Sequence, residues 1–190
     1  MRPTADRQRF RTDFIQNFQR IRMNTTPGDA RLLRILIESS RAKNGLEIGV
    51  ATGYGAIVMG LGFERNGGHL TSIDIDGEMV KTARANIRKM QLQEVVTVVK
   101  GVALKVIPKL DGPFDFVFID AAKEEYLGYF RAVEPKLKAR AVIVADNVIR
   151  FADVTRDFLD AVQNDPTYQA VIIRASEEKG DGMAVIYKAR

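Results

Sequence analysis

The sequence predicts an α/β protein: a mostly parallel sheet, helices on both faces, and an antiparallel hairpin at the C-terminal end. Three observations carry this. A strand-like run over 46–50 turns through three glycines in seven residues, Gly49, Gly53 and Gly55, into a helix opening at Ala56. Strand-like runs at 70–75, 95–99, 114–119 and 141–145 then alternate with helix-like stretches at 77–90, 102–110 and 123–138, the βαβ rhythm of a parallel sheet. Finally, a helix over 152–164 precedes strands at 168–173 and 183–187, separated by the polar turn Gly180-Asp181-Gly182. The inner strands are nearly continuous Val, Ile and Phe, as expected where both faces are covered.

Ahead of this alternation, Phe10, Phe14, Phe18 and Ile21 fall at helical spacing. They predict an amphipathic, arginine-rich N-terminal helix over 4–22, with 1–22 set apart from a single domain over 23–190. Its phenylalanine stripe is expected to dock on the domain or on a second copy of the chain. Thr26-Pro27 marks the next helix start, a cap with proline at the first position. The helix over 28–41 carries Leu32, Leu33, Ile35, Leu36 and Ile37.

Composition narrows the function. The 190 residues are 46% hydrophobic and 28% charged, ordinary for one globular domain. Cysteine is absent and His69 is the only histidine, which excludes thiolate chemistry, cysteine–zinc sites and histidine-cluster metals. No apolar run reaches the roughly 18–20 residues of a membrane span, and the polar start lacks a secretory signal's apolar core, so the expectation is a cytoplasmic protein with no membrane partner. Residues 1–22 hold six arginines (Arg2, Arg7, Arg9, Arg11, Arg20 and Arg22) against Asp6 and Asp13. Such an arm suits nucleic acid or an acidic substrate, and equally a solvated helix face.

In open α/β sheets ligands bind at the carboxyl ends of the strands, and those ends carry acids. The runs finish at Glu47 with the glycine loop, at Asp74-Ile75-Asp76, near Lys100-Gly101, at Asp120, and at Asp146-Asn147. The glycine loop allows a tight turn and close backbone approach to a ligand, and the helix behind it offers free N–H groups. Asp74 is placed to accept hydrogen bonds from ribose hydroxyls, whereas Asp76 reads as the cap of the following helix. The glycines are not spaced G-x-G-x-x-G and no Gly-Lys-Ser/Thr sequence occurs, which weighs against NAD and nucleoside triphosphates. Glu47 would repel a pyrophosphate but tolerate a cationic amino-acid end, so the chemistry leans toward S-adenosylmethionine. Asp120, Asp146 and Asn147 offer hard oxygen ligands suited to Mg²⁺, Ca²⁺ or Mn²⁺. The same aspartates could instead cap the helices that follow them.

Taken together, these motifs resemble the metal-dependent, S-adenosylmethionine-using O-methyltransferases of the caffeoyl-CoA and catechol O-methyltransferase type. The resemblance runs from about Met23 to the end. It rests on Met23-Asn24-Thr25-Thr26-Pro27, Leu46-Glu47-Ile48-Gly49-Val50-Ala51-Thr52-Gly53-Tyr54, Ser72-Ile73-Asp74-Ile75-Asp76, the segment from Phe114 to Asp120-Ala121-Ala122-Lys123, Asp146-Asn147-Val148, and Gly180-Asp181-Gly182. It implies a Rossmann-like class I methyltransferase fold with a seven-stranded sheet. It also implies that Glu47 and Gly49, with Val50, Gly53, Tyr54 and Gly55 of the loop, contact the cofactor. Met23, Asn24 and Thr25 would pass its methionine portion, Asp74 would take its ribose hydroxyls, Gly101 and Ala103 would border its adenine, and Ile75, Val102 and Asp120 would also contact the cofactor. Asp120, Asp146 and Asn147 would bind a divalent metal, expected to be Mg²⁺, and Lys123 would be the base beside the substrate hydroxyl, with Asp120 its catalytic partner.

The expected reaction is methyl transfer from S-adenosylmethionine to a hydroxyl of a small catechol-like aromatic. Bacterial tRNA 5-hydroxyuridine O-methyltransferases look similar over the same motifs, so tRNA, met through the basic N-terminal helix, is the alternative acceptor. A non-catalytic cofactor-binding protein is a third reading, since fold alone does not prove activity. The chain departs from the family in its short segment after Asn147, its short N-terminal extension, and Ala122 where many relatives carry a carboxylate. These departures bear on the acceptor and on the homodimer usual in the family.

Overall fold

Alternate residues of the central strands feed two separate helical layers, and this two-sided burial sets the architecture. The computed structural model describes residues 4–190; Met1, Arg2 and Pro3 of the expected basic arm lie outside the described residues. In chain order the elements are α1 (Ala5–Gln16), α2 (Pro27–Ser40), β1 (Asn44–Ile48), α3 (Tyr54–Asn66), β2 (His69–Asp74), α4 (Gly77–Lys89), β3 (Val96–Lys100) and α5 (Ala103–Val106). They continue with β4 (Phe114–Ile119), α6 (Tyr126–Val133), β5 (Leu137–Ala145), α7 (Arg156–Gln163), β6 (Tyr168–Ile173) and β7 (Met183–Lys188). The strands form one seven-stranded sheet in the order β3-β2-β1-β4-β5-β7-β6. The first five in that order are parallel, and β7 lies antiparallel between β5 and β6. This is the expected parallel sheet closed by a hairpin.

Phe116 and Phe118 of β4 and Val142 and Val144 of β5 pack into one layer with Leu33, Ile37, Phe63 and Val80 from α2, α3 and α4. Val117, Ile119, Ala141, Ile143 and Ala145 face the other way, onto Tyr126, Phe130 and Phe158 of α6 and α7. Each such large apolar side chain contributes about 1.5–3 kcal/mol on burial. From β1 the chain steps outward to β2 and β3, then returns to β4 on the other side of β1. That reversal opens a crevice at the carboxyl ends of β1 and β4.

Several boundaries differ from the sequence reading. The first helix ends at Gln16, where Asn17 turns back onto the Asp13 carbonyl, rather than at 22. Phe14 and Phe18 still pack inward, but Phe10 and Ile21 are exposed. The helix expected over 123–138 is a short 3-10 turn followed by α6, and Pro135 ends it before β5 begins at Leu137. The helix expected at 102–110 is likewise cut to α5 and a 3-10 turn containing Pro108. The helix expected from 152 begins at Arg156.

Candidate active site

Strand register alone brings the key residues together. Ile48 of β1 lies opposite Ile119 of β4, and Ile119 opposite Ala145 of β5. The next residues, Gly49, Asp120 and Asp146, therefore emerge side by side, about 4.8 Å apart per strand. The ladder extends to them: Asp120 N donates to the Ile48 carbonyl at 2.8 Å, and Asp146 N to the Ile119 carbonyl at 3.0 Å. Gly49 has φ of +100°, and a Cβ there would collide with the Asp120 carbonyl oxygen. Only glycine meets both conditions.

This rim forms one wall of a cavity of about 1070 Å³. Met23 and Asn24 line it, as do Asp74, Ile75, Gly101, Val102, Ala103, Asp120, Lys123, Asp146 and Asn147. Ile75 is 65% exposed and Met23 62%, apolar surface left uncovered at a concave site. Asn24 is buried; its Oδ1 accepts from Ile21 N at 2.9 Å and from Thr52 Oγ1 at 2.8 Å, while its Nδ2 has no acceptor. A buried donor in that state is open to a ligand atom or an ordered water. Asp74 Oδ2 accepts from the amides of Val50 and Ala51 at 3.1 and 2.9 Å, and Oδ1 from Asp76 N at 3.0 Å. Two amides of the glycine loop are thus held by Asp74 rather than left open to a ligand, and Asp74 fastens the loop to β2. Asp76 caps α4 as expected, accepting from Glu78 N and Met79 N.

The acidic rim already carries cations. Lys123 Nζ donates to Asp120 Oδ1 and to the Tyr126 hydroxyl, both at 2.8 Å, and that hydroxyl donates to the Asp146 carbonyl at 3.0 Å. Lys179 Nζ reaches both carboxylate oxygens of Asp146, at 2.7 and 2.8 Å, and Asp29 Oδ2 at 2.6 Å. Burial raises the Asp120 carboxyl to about 7 against the opposing pull of Lys123. Burial also raises Asp146, with Lys179 opposing. For Lys179 burial disfavours the charge, yet Asp146 and Asp29 outweigh it and the net shift is upward. Asn147, at φ of +61°, donates Nδ2 to Asp181 Oδ2 at 3.0 Å, which leaves its Oδ1 to accept. Against the effect of burial, the amides of Arg150 and Gly182 hold the Asp181 carboxyl below its ordinary range.

The donor set fits a hard divalent ion: two adjacent carboxylates and an oriented amide oxygen, on a wall that holds positive charge. Among the described residues no three Asp, Glu, His or Cys side chains form such a group, so a third protein donor would have to be the Asn147 amide oxygen.

Thr25, Glu47, Val50, Gly53, Tyr54 and Gly55 do not line the cavity, although the resemblance implied cofactor contacts for them. Glu47 is buried, accepting from Ser72 Oγ at 2.5 Å. Val50 belongs to the core, and Tyr54 packs edge-on against Phe18. Gly53 passes close to Ala83, and Gly55 to Thr25 and Glu47. Thr26 and Ala51 line the cavity in their place. His69 contacts Thr97 at the far end of β2. The sequence reading missed Lys179, Asp29, Tyr126 and Arg150. Of these only Asp29 carried a signal, as the acid three residues after the Thr26 cap.

The chain is 34% identical over 151 residues to a catechol O-methyltransferase of Niastella koreensis, covering 77% of this chain and 66% of that protein. It spans between 64% and 68% of the length of three relatives, two catechol O-methyltransferases and a putative caffeoyl-CoA O-methyltransferase of Arabidopsis thaliana. The solved structure of cofactor-bound Rv0187 from MTB is 28% identical, with a TM-score of 0.84 over 98% of this chain and 91% of that one. The O-methyltransferase from Bacillus cereus, solved in complex with SAH, has the same fold at 24% identity, with a TM-score of 0.84 over 98% of this chain and 92% of that one. The O-methyltransferase family model matches residues 8–178. The chain belongs to the O-methyltransferase family.

Proposed function

We propose that the protein transfers a methyl group from S-adenosylmethionine to a hydroxyl of a small vicinal-dihydroxy aromatic, and that the reaction requires a divalent ion, Mg²⁺ by expectation. One observation carries this reading: Asp120, Asp146, Asn147 and Lys123 share a cavity with Asn24 and Asp74.

When bound, S-adenosylmethionine supplies an electrophilic methyl group, and the divalent ion supplies positive charge beside the acceptor hydroxyl. Asn24 Nδ2, the donor without a partner, suits the cofactor's carboxylate. Asp74 Oδ1 accepts only from Asp76 N and retains a lone pair for a ribose hydroxyl. Ile75 and Val102 offer apolar faces to the adenine. Asp120, Asp146 and the Asn147 Oδ1 would hold the ion. Lys123, tethered by Asp120 and the Tyr126 hydroxyl, is the group that would take the acceptor's proton, after first giving its own ammonium proton to solvent. A phenol-like hydroxyl is mostly protonated at neutral pH, so its activation and alignment are what the protein must provide. Alignment alone can contribute roughly 7–11 kcal/mol to such a displacement. The name of the Niastella koreensis relative supports a catechol acceptor.

Three arginines of the basic arm are engaged within the protein, which weighs against an RNA acceptor: Arg7 and Arg11 bind the Gln91 carbonyl, Arg11 also binds Glu64, and Arg20 pairs with Glu178. A methyl-transfer screen of catechols, caffeoyl-type esters and undermodified tRNA, each with and without Mg²⁺, tests the proposal. Methylation of a small catechol only with the metal is expected. Methylation confined to tRNA would assign the acceptor to nucleic acid and overturn the small-molecule reading.

A further inference from the structure

We propose that Lys179 is a tethered cation that competes with the divalent ion for Asp146, so that the ion binds only when this ammonium is displaced. The inference rests on the reading of Asp120, Asp146 and Asn147 as a metal site. Lys179 Nζ sits across both carboxylate oxygens of Asp146, and one of those oxygens also accepts from Asn147 N at 2.7 Å. Both Lys179 and Asp146 line the cavity, so the ammonium stands on the side from which an ion would arrive. The Asp146 side chain is 3% exposed, which leaves it no solvent-facing side on which to take a second cation.

The displaced ammonium has a place to go. Asp29 is fully buried in the first turn of α2, and its Oδ2 accepts from Thr26 Oγ1 at 2.8 Å and pairs with Lys179 at 2.6 Å. Its Oδ1 has no partner. Lys179 can therefore leave Asp146 and stay paired with Asp29, exchanging one acceptor for an oxygen that otherwise has none. Lys179 side-chain exposure is 20%, and a Cβ at the neighbouring Gly180 would meet nothing within 4 Å, so this stretch has room to shift. With the ammonium in place, Asp146 and Asp29 share one cation without metal.

Binding of Mn²⁺ to the full chain, followed by electron paramagnetic resonance, tests the device. The proteins are the wild type, Lys179→Met, the charge-balanced pair Asp29→Asn/Lys179→Met, and Asp146→Asn as a site control. Binding of S-adenosylhomocysteine reports that each variant is folded. Removing a charge-assisted contact of this kind is expected to tighten Mn²⁺ binding by about tenfold or more in both Lys179 variants, with Asp146→Asn losing it. If a folded Lys179 variant binds Mn²⁺ equally or more weakly, the competition is refuted while the metal site stands. If neither wild type nor variants bind Mn²⁺, both the competition and the metal site fall. Should Lys179→Met not fold, the charge-balanced pair, which leaves no unpaired carboxylate at position 29, decides the question.

Discussion

Glu47 is the residue whose position departs furthest from its sequence reading, and its titration makes that departure measurable. It is 1% exposed, and its one side-chain partner is the Ser72 hydroxyl. Burial, opposed by that hydrogen bond and reinforced by Asp120 and Asp74, raises its pKa from 4.5 to about 8. The folded protein therefore holds a proton that the unfolded chain releases near pH 4.5. The associated stability is fully present below that pH and is lost as pH rises through about 8. Across pH 5 to 8.5, urea unfolding of the wild type should lose stability relative to Glu47→Gln, by a few kcal/mol in order of magnitude. Parallel pH profiles for the two proteins would show that the buried carboxylate is not the cause. Asp76 is the opposite case: a short polar side chain before a helical run has one dominant use, and it caps α4 as the sequence implied. Lys179 could not be read in advance, because its partners are 33 and 150 residues away and no local pattern selects them.

At the level of elements, strand centres were legible and ends were not. The apolar runs of β1, β2 and β4 reflect burial on two faces, a signal strong enough to survive without knowledge of neighbours. Lys138, Ala139 and Arg140, near the start of β5, are exposed, so they carry no such signal: in sequence Leu137 and Lys138 read as the end of the preceding helix, and Ala139 and Arg140 as neither helix nor strand. In α1 the period-four phenylalanines continue past the real helix end, because Phe18 packs on Tyr54 from a turn. The arginine-rich outer face expected there is interrupted as well. Arg11 is 4% exposed, donates to the Met90 and Gln91 carbonyls, and forms a two-pronged pair with Glu64, including 2.6 Å to Oε2. It clamps α1 to α3 and to the turn after α4. Because the guanidinium's fork is what spans these acceptors, Arg11→Lys should lower stability almost as much as Arg11→Met, by roughly 1–3 kcal/mol. Chemical denaturation measures this, and an Arg11→Lys protein as stable as the wild type would show that charge alone is what matters.

At the scale of the whole molecule, the order β3-β2-β1-β4-β5-β7-β6 produces the site. Local sequence patterns contain no strand order. The convergence of Asp120 with Asp146 therefore stayed open in the residues themselves, with helix capping as the alternative, until β4 and β5 proved to be neighbours in register. The glycine loop reads in sequence as a cofactor element, yet the amides of Val50 and Ala51 are held by Asp74 and the Val50 and Tyr54 side chains pack inward. What the loop provides is a tight crossing at Gly49 that sets the cavity against the acidic rim. If this rim holds a divalent ion that the proposed reaction needs, methyl transfer to a catechol by the wild type and Asp146→Ala, each with Mg²⁺ and with EDTA, will show it. Product is expected from the wild type with Mg²⁺, with a loss of at least about 100-fold in EDTA and a comparable loss in Asp146→Ala under either condition. Full activity of the wild type in EDTA, or of Asp146→Ala with or without metal, would contradict it.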